Sequence, residues 1–376
     1  MIMLTEEQEL MVNVAKEFAV NELRPRSKEI NATEKIPQDL IKRAAELGFR
    51  GILIPEEWGG LGEKITTQLL IVEVLAQECS VSGVFANNMI AHPLLACGTQ
   101  MQKEKYLRKV ANGEYYMGFA FTEACAGSDA SAIQTTAVKN GDEWILNGTK
   151  IYISGVYSDG FLVSAKTNET APGGISAFLV EKNFPGFSVG APYKKLGLHG
   201  SDTGEIYLKD CRVPAENMIG VENKGLHVVL SALDVGRLNV AAIACGFAKG
   251  AFDRAIAYAK ERVQFGKPIS QFQAIQHYAA DMLKDIEVHR AMLYHAAALA
   301  DAKKPFALEA SIAKLACTEM ACRVTDRAIQ ICGGVGLMEE CEIERYFRDA
   351  RVLPIVEGTS EIQKMIIARS IFPKTK

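Results

Sequence analysis

Several features that mark other protein classes are missing or weak in this 376-residue chain. Its nine cysteines are dispersed with no Cys-x-x-Cys pair, which argues against a disulfide framework and indicates a reducing compartment. A net charge of −3 provides no basic surface for nucleic acid or for an anionic membrane. The longest apolar run, around residues 240–248, is short and contains glycine, so no membrane insertion is expected.

Targeting and metal-binding patterns are also lacking. Residues 1–8 resemble the start of an acidic, capped helix rather than the basic segment of a signal or transit peptide. The six histidines include no His-Glu-x-x-His arrangement, so no metal site is expected. Apolar residues make up 48% of the chain and charged residues 23%, as in soluble globular proteins. We therefore predict a soluble, cytoplasmic protein; the mitochondrial matrix would apply only if a transit peptide had been removed.

The spacing of apolar residues divides the chain into three parts. Over 1–116 they recur at helical intervals, which predicts an N-terminal all-helical domain. Over 117–222 the period becomes alternating, which predicts a central antiparallel β-sandwich or barrel. Over 223–376 long apolar helical stripes return, which predicts a C-terminal four-helix-bundle domain. The expected fold class is therefore a multidomain α+β architecture.

Turn residues set the predicted boundaries of the elements. In the central part, Asn140-Gly141 and Asn147-Gly148 indicate hairpin turns, and Pro172-Gly173-Gly174 indicates a loop. The predicted strands are 135–139, 143–146, 150–154, 161–166, 175–181 and 204–208. The predicted helices of the last part are 226–263, 271–300, 306–332, 339–349 and 360–371.

A candidate general base lies near the C-terminus. Glu357 stands between the apolar residues 354–356 and Gly358, and Ser360 and Gln363 resemble a capping box that opens the next helix. A carboxylate among apolar neighbours is poorly solvated in its charged form, which raises its pKa toward values useful for proton abstraction. A solvated glutamate near a helix N-terminus, where negative charge is favoured, explains the same residues. The residues alone leave both interpretations open.

Two segments of the β part could bind a ligand. Residues 119–129 combine aromatic, glycine and hydroxyl residues at the transition from helix to strand, so free backbone N–H groups could meet an anion or a carbonyl. A plain turn is the alternative. Residues 150–155 form a strand with an aromatic residue, Tyr152, whose ordinary role would be packing within the sheet.

Charged residues of the helical C-terminal part raise the same ambiguity. Asp234 and Arg237 are three apart on a long apolar helix and could be only a surface ion pair. Residues 262–266 follow that helix, and the glycine-rich residues 330–334 end another.

Taken in chain order, these segments resemble the acyl-CoA dehydrogenase family over residues 5 to 372, most closely its short-chain (butyryl-CoA) group. Tyr346–Arg351 followed by Glu357–Gln363 is similar to the family's C-terminal signature, and residues 147–150 read Asn-Gly-Thr-Lys. Two departures stand out. Ala124-Cys125 replaces a common Pro-Gly, and Tyr152 and Ser154 replace Trp and Thr, which retains an aromatic plane and a hydroxyl.

The resemblance implies roles for individual residues. Glu357 would be the catalytic base; some family members instead place the base on the long helix, at the position of Gly236. The implied FAD-binding residues, some of which would serve a neighbouring subunit's FAD, are Phe119, Phe121, Thr122, Gly127, Ser128, Tyr152, Ile153, Ser154, Arg262, Phe265, Gln273, Gln330, Gly333, Gly334, Thr359, Ser360 and Glu361. The implied substrate-binding residues are Ser128, Asp234, Arg237 and Gly358.

The function implied is α,β-dehydrogenation of a short- to medium-chain acyl-CoA to the trans-2-enoyl-CoA, with electrons passed to an electron-transfer flavoprotein. A homotetramer, built as a dimer of dimers, is implied as well. Alternatives are an enoyl-CoA reductase using the same site, and a flavin-binding member that has lost dehydrogenation. An acyl-CoA oxidase is disfavoured by length, and a glutaryl-CoA enzyme because residues 82–84 offer no nearby cation.

Overall fold

The computed structural model describes residues 4–86, 89–168 and 174–372, and its first part is helical. Thr5 opens the first helix as predicted, because its hydroxyl accepts the Gln8 N–H at 3.2 Å in a capping box. A π-helical stretch, Ala19–Leu23, joins the first two helices. The α-helices are α1 (Glu6–Phe18), α2 (Arg24–Thr33), α3 (Gln38–Glu46), α4 (Ile65–Ala76), α5 (Ser82–Ala86), α6 (Ala91–Cys97) and α7 (Gln100–Ala111).

The central part is one eight-stranded sheet with strand order β6-β7-β3-β2-β4-β5-β8 and with β1 paired to β4. The strands are β1 (Met117–Ala120), β2 (Thr136–Asn140), β3 (Glu143–Ser154), β4 (Gly160–Lys166), β5 (Ile175–Glu181), β6 (Phe187–Val189), β7 (Thr203–Pro214) and β8 (Met218–Ile219). The β1–β4 and β2–β4 pairings are parallel, so the sheet is mixed rather than wholly antiparallel as expected. The predicted loop at 172–174 lies mostly outside the described residues.

Of the two predicted hairpin turns, one forms and one does not. β2 and β3 meet in a hairpin directly after Asn140, with Gly141 at a φ of 62° that suits glycine. The predicted turn at Asn147-Gly148 is wrong, because β3 continues through both residues with a bulge in its pairing to β7. There the Asn147 side chain exchanges hydrogen bonds with Asp210, at 3.1 and 2.8 Å. A Cβ at position 148 would overlap the Thr135 side chain.

The last part is a helical bundle built on three long helices. Its elements are α8 (Gly225–Glu261), a small hairpin of β9 (Val263–Gln264) and β10 (Lys267–Pro268), α9 (Gln273–Asp301), α10 (Ala307–Cys332), α11 (Ile343–Val352) and α12 (Ser360–Ile371). The helix predicted over 339–349 is divided, because Glu342 takes a φ of 61° between a 3₁₀ turn and α11. The helical, β, helical order is confirmed.

Helix α8 is the central helix of the whole chain. By length and composition it could cross a membrane, but 72% of its most apolar window is buried inside the protein. Its residues share one hydrophobic core with α4 of the first helical part and with α10. Its first turns lie against β5 of the sheet, where Val229 packs beside Phe121 and Ala126. α8 therefore touches all three parts, and any site on its face can draw residues from each.

Candidate active site

Glu357 lies in the short turn that joins α11 to α12. The turn is tight, since Glu357 has a φ of 53° and Gly358 a φ of 90°, both in the left-handed region. Thr359, not Ser360 as predicted, is the N-cap of α12, because its hydroxyl accepts the Ile362 N–H at 3.3 Å. The Gln363 side chain turns back and donates to the carbonyl oxygens of Glu357 and Gly358, at 3.1 and 2.9 Å.

The carboxylate of Glu357 is poorly solvated. Its Oε2 atom is shielded from solvent and has no hydrogen-bond partner among the described residues. Burial raises the pKa of Glu357 to about 7, against the opposing influence of Arg237 and Lys314. A carboxyl group that titrates near neutral pH is suited to general-base catalysis. The solvated-loop interpretation of Glu357 is therefore wrong.

Space for this carboxylate is provided by Gly236 on α8. A Cβ built on Gly236 would lie 2.7 Å from Glu357 Oε2 and 3.2 Å from Met89 Cε. Any larger residue at 236 would therefore press on the carboxylate. Glu357, Gly236 and Met89 are thus in close contact, and α8, the α11–α12 turn and the segment before α6 each contribute one of them.

Arg237 follows Gly236 on α8, and its ion pair is not a surface one. Its side chain is buried, and its Nη1 donates to Asp234 Oδ1 at 2.6 Å. Burial raises the pKa of Asp234, while Arg237 and the half-buried His92 oppose that change. The predicted pair is thus enclosed near Glu357 rather than solvated.

Lys314, on α10, was missed by the sequence analysis. Its side chain is completely buried, and its Nζ donates to the Gly358 carbonyl at 2.8 Å. Burial lowers the pKa of Lys314 to about 8, opposed chiefly by Glu357. A signal was present in the sequence: Lys314 stands among Ala310, Ala313 and Cys317, on the apolar stripe of its helix.

The two segments of the sheet that were predicted to bind flavin lie side by side. The Thr122 carbonyl accepts the Ile151 N–H at 2.8 Å, which joins residues 119–129 to β3. The rings of Phe119 and Phe121 are 6.4 Å apart. Thr122 is half-exposed and Gly127 and Ser128 are exposed.

A buried ion pair that the sequence analysis did not identify anchors these segments. Lys150 and Glu123 are both buried, and their Nζ–Oε1 distance is 2.7 Å. Lys150 also donates to the Phe121 carbonyl at 3.2 Å, while Glu123 accepts the Thr135 hydroxyl at 2.6 Å. Burial lowers the pKa of Lys150 to about 8, against the attraction of Glu123. Because both charges are satisfied, the loop is held firmly on the sheet.

Tyr152 has the backbone conformation expected of a constrained functional position. Its φ is 56°, rare for a non-glycine residue within a strand, and its side chain is 67% exposed. Ile153 points into the core and Ser154 out of it. The hydroxyls of Thr122, Ser128 and Ser154 have no hydrogen-bond partner within the described part of the chain. An exposed aromatic ring and unpaired hydroxyls are what a bound flavin would require here.

Helix α8 contacts both the segments predicted to bind flavin and the candidate base. Val229 packs against Phe121, and Gly236 lies next to Glu357. The two positions are seven residues apart, which is two helical turns or about 10 Å on one face. The arrangement brings a polar strand edge and an unsolvated carboxylate to the same side of one helix.

A third group of predicted residues is not brought to this site. Arg262 lies about 39 Å along α8 from Gly236, given a rise of 1.5 Å per residue. The whole group is exposed: Arg262, Phe265, Gln273, Gln330, Gly333 and Gly334. Phe265 is 93% exposed at the tip of the β9–β10 hairpin, with a φ of 51°.

These features are those of an enzyme site in which a poorly solvated carboxylate and an exposed, polar strand edge lie along one helix. Comparison with known families identifies the class. The family models described as acyl-CoA dehydrogenase N-terminal, middle and C-terminal domains match residues 5–114, 118–211 and 223–372. The chain therefore belongs to the acyl-CoA dehydrogenase family and is a flavin-dependent oxidoreductase whose cofactor is FAD.

Relatives and solved structures agree with this assignment over the whole length. A short-chain-specific acyl-CoA dehydrogenase of Clostridium acetobutylicum is 42% identical, with 98% of this chain and 99% of that one covered. An acryloyl-CoA reductase (NADH) of Anaerotignum propionicum is 43% identical, with 99% and 96% covered. The structure of butyryl-CoA dehydrogenase from Megasphaera elsdenii matches with a TM-score of 0.95 at 39% identity, covering 99% of each chain.

The description of a further matching structure names an electron transferring flavoprotein. A chain in a structure described as the electron transferring flavoprotein of Acidaminococcus fermentans, in the context of flavin-based electron bifurcation, has a TM-score of 0.96. It is 41% identical, and all of both chains is covered.

Proposed function

We propose that this enzyme dehydrogenates a short- to medium-chain acyl-CoA thioester to the trans-2-enoyl-CoA and passes the electrons to an electron-transfer flavoprotein. The observation that carries the proposal is the Glu357 carboxylate: its Oε2 is shielded from solvent and has no hydrogen-bond partner within the described residues, and burial raises its pKa to about 7. The similarity to short-chain dehydrogenases supports the substrate class.

In this proposal Glu357 removes the α-proton of the thioester. The backbone N–H of Glu357 donates to no acceptor among the described residues, so it is available to the thioester carbonyl, where negative charge develops. When FAD is bound, it supplies the acceptor for the hydride that leaves the β-carbon. Arg237 and Lys314 favour the ionised form of Glu357.

Further residues would bind and orient the ligands. Thr122, Tyr152 and Ser154 offer the exposed ring and the unpaired hydroxyls to the flavin. The other residues proposed to bind FAD from the same sheet and helix are Phe119, Phe121, Gly127, Ser128, Ile153, Thr359, Ser360 and Glu361. Ser128, Asp234, Arg237 and Gly358 are proposed to contact the substrate. The enzyme would act in the cytoplasm, which the nine free cysteines support.

An alternative proposal is that the same site reduces enoyl-CoA. It is supported by the acryloyl-CoA reductase that is 43% identical to this chain. A glutaryl-CoA activity, which the sequence disfavoured, is also a candidate to be tested. The expectation that no cation lies near residues 82–84 is wrong, because Arg50 Nη1 donates to the Val84 carbonyl at 2.5 Å. Arg50 is buried there beneath the ring of Tyr116.

Anaerobic titration with acyl-CoAs of graded length tests the proposal. Butyryl-CoA is expected to bleach the flavin absorbance, and the extent should fall with palmitoyl-CoA. Crotonyl-CoA added to the prereduced enzyme should restore the colour if the reductase direction is accessible. Bleaching by glutaryl-CoA with release of CO₂ would move the assignment to the decarboxylating branch. If no saturated acyl-CoA bleaches the flavin, the protein is a non-dehydrogenating family member.

We also propose a homotetramer arranged as a dimer of dimers. Arg262, Phe265, Gln273, Gln330, Gly333 and Gly334 are exposed, and they are proposed to complete the FAD site of a neighbouring subunit. The Phe265 ring, 93% exposed at the tip of its hairpin, is available for contact with a neighbouring subunit.

Light scattering is expected to give about 164 kDa, four times the 41.0 kDa chain.

Phe265→Ala should lower FAD retention on gel filtration several-fold, because a stacking surface for the neighbour's cofactor is lost. Leu10→Ala is the matched control, since Leu10 is a 66% exposed apolar residue on α1. A monomer with full FAD occupancy, or equal retention in both variants, would contradict this arrangement.

A further inference from the structure

We infer that Lys314 is a positioning residue, which holds the turn that carries Glu357 and favours the ionised carboxylate through its uncompensated charge. The inference rests on the proposed role of Glu357 as the base. It begins with the position of Lys314, whose side chain is completely buried among Ala310, Ala313 and Cys317 on the core-facing side of α10. An ammonium group placed there loses its hydration. Its effect on the site therefore depends on its hydrogen bond and on the charges near it.

The first contact of Lys314 is mechanical. Its Nζ donates to the Gly358 carbonyl at 2.8 Å, and Gln363 Nε2 donates to the same oxygen at 2.9 Å. Glu357 and Gly358 both have positive φ, a conformation that costs free energy for the non-glycine residue. Two donors on one carbonyl hold this turn in place from α10 and from α12. Without Lys314, Gln363 would be the one side-chain donor left to the Gly358 carbonyl among the described residues.

Lys314 also acts on Glu357 through its charge. Two cations act on Glu357, Arg237 from α8 and Lys314 from α10. Arg237 is neutralised in part, because Asp234 lies 2.6 Å from its guanidinium. Lys314 forms no ion pair within 4 Å in the described part of the chain; its hydrogen bond goes to a neutral carbonyl. Lys314 therefore supplies the positive charge that is least compensated near the base.

The charges that face Lys314 are consistent with this role. Glu357 exerts the largest attraction on Lys314, ahead of Glu361 on α12 and Glu319 on α10, while Arg237 repels it. Glu361 is exposed and Glu319 lies in an ion pair with Lys364 at 3.6 Å, so neither compensates the buried ammonium closely. Glu357 and Lys314 stabilise each other's ionised forms across the turn.

Three substitutions separate the charge from the hydrogen bond. Lys314→Met removes both, Lys314→Gln keeps an N–H donor without charge, and Lys314→Arg keeps both. In anaerobic stopped-flow reduction by butyryl-CoA, we expect the apparent pKa of the rate, near 7 in the parent, to rise by about one unit in the Met and Gln variants. The Arg variant should restore the parent profile. A Met variant with full FAD content and the parent's pH profile would overturn the charge role.

A second measurement does not depend on turnover. Because the pKa of Glu357 is raised by folding, the parent protein loses stability relative to Glu357→Gln as pH rises from about 4.5 to 7. The difference in Tm between the two should level off above pH 7. In a Lys314→Met background the same difference should continue to grow to a higher pH. An unchanged levelling point would refute the inference, even if butyryl-CoA proved not to be a substrate and the proposed function failed.

Discussion

Replacement of Glu357 with Gln is expected to lower the rate of flavin reduction by butyryl-CoA by at least roughly three orders of magnitude, because a positioned base contributes about 10²–10⁴. The amide has nearly the same size, so FAD content and acyl-CoA binding should be retained. The structure gives the reason for so large an effect: the Glu357 carboxylate is the group that lies against Gly236 and Met89, with its Oε2 shielded from solvent. Anaerobic stopped-flow spectroscopy of the flavin measures the rate directly.

The matched control for this variant is Glu287→Gln. Glu287 is exposed on α9 and belongs to neither the proposed FAD site nor the proposed substrate site. Its amide variant should reduce its flavin at nearly the parent rate. The parent rate itself should rise with pH through about 7, as Glu357 loses its proton. Near-parent reduction by Glu357→Gln would show that another residue is the base.

Most helices could be predicted closely from the sequence because their ends depend on nearby residues. α12 occupies the predicted range 360–371, since Thr359 and the residues that follow it set its start locally. The failure at Asn147-Gly148 has a non-local cause. The Asn147 side chain is satisfied by Asp210, which is distant in sequence, and a strand rather than a turn results.

In the site, too, features set by nearby residues could be predicted and features set by distant residues could not. The apolar residues before Glu357 correctly suggested a desolvated carboxylate, but its isolation depends on Gly236 and Met89, which only the fold brings near. Lys314 and Lys150 were missed as structural elements of the site because a lysine in sequence is ordinarily a solvated charge. Each is buried here because a specific acceptor meets it, the Gly358 carbonyl for Lys314 and Glu123 for Lys150. Flavin binding was predicted from family resemblance, since no residue pattern alone required it.

A glutamate on α8 is expected to take over the role proposed for Glu357. Glu357→Gly is expected to reduce flavin at least roughly a thousandfold more slowly, and adding Gly236→Glu should recover at least about tenfold of that loss. A Cβ at 236 would lie 2.7 Å from the present Oε2, so a glutamate there can place its carboxylate close to the space that Glu357 vacates. A glycine introduced at position 357 would suit the left-handed turn, and replacing glycine inside a helix gains up to about 1 kcal/mol of helix propensity.

The outcome depends on the chemistry of the side chain introduced at 236 rather than on its size. Met89, whose Cε would be 3.2 Å from the new Cβ, has a flexible side chain that can move aside for either glutamate or glutamine. Gly236→Gln in the Glu357→Gly protein is therefore the matched control, equal in volume and unable to accept a proton at neutral pH. Stopped-flow reduction by butyryl-CoA should recover with glutamate and stay at the background rate with glutamine. Equal rates in the two double variants would mean that filling the space, and not a relocated base, accounts for any recovery.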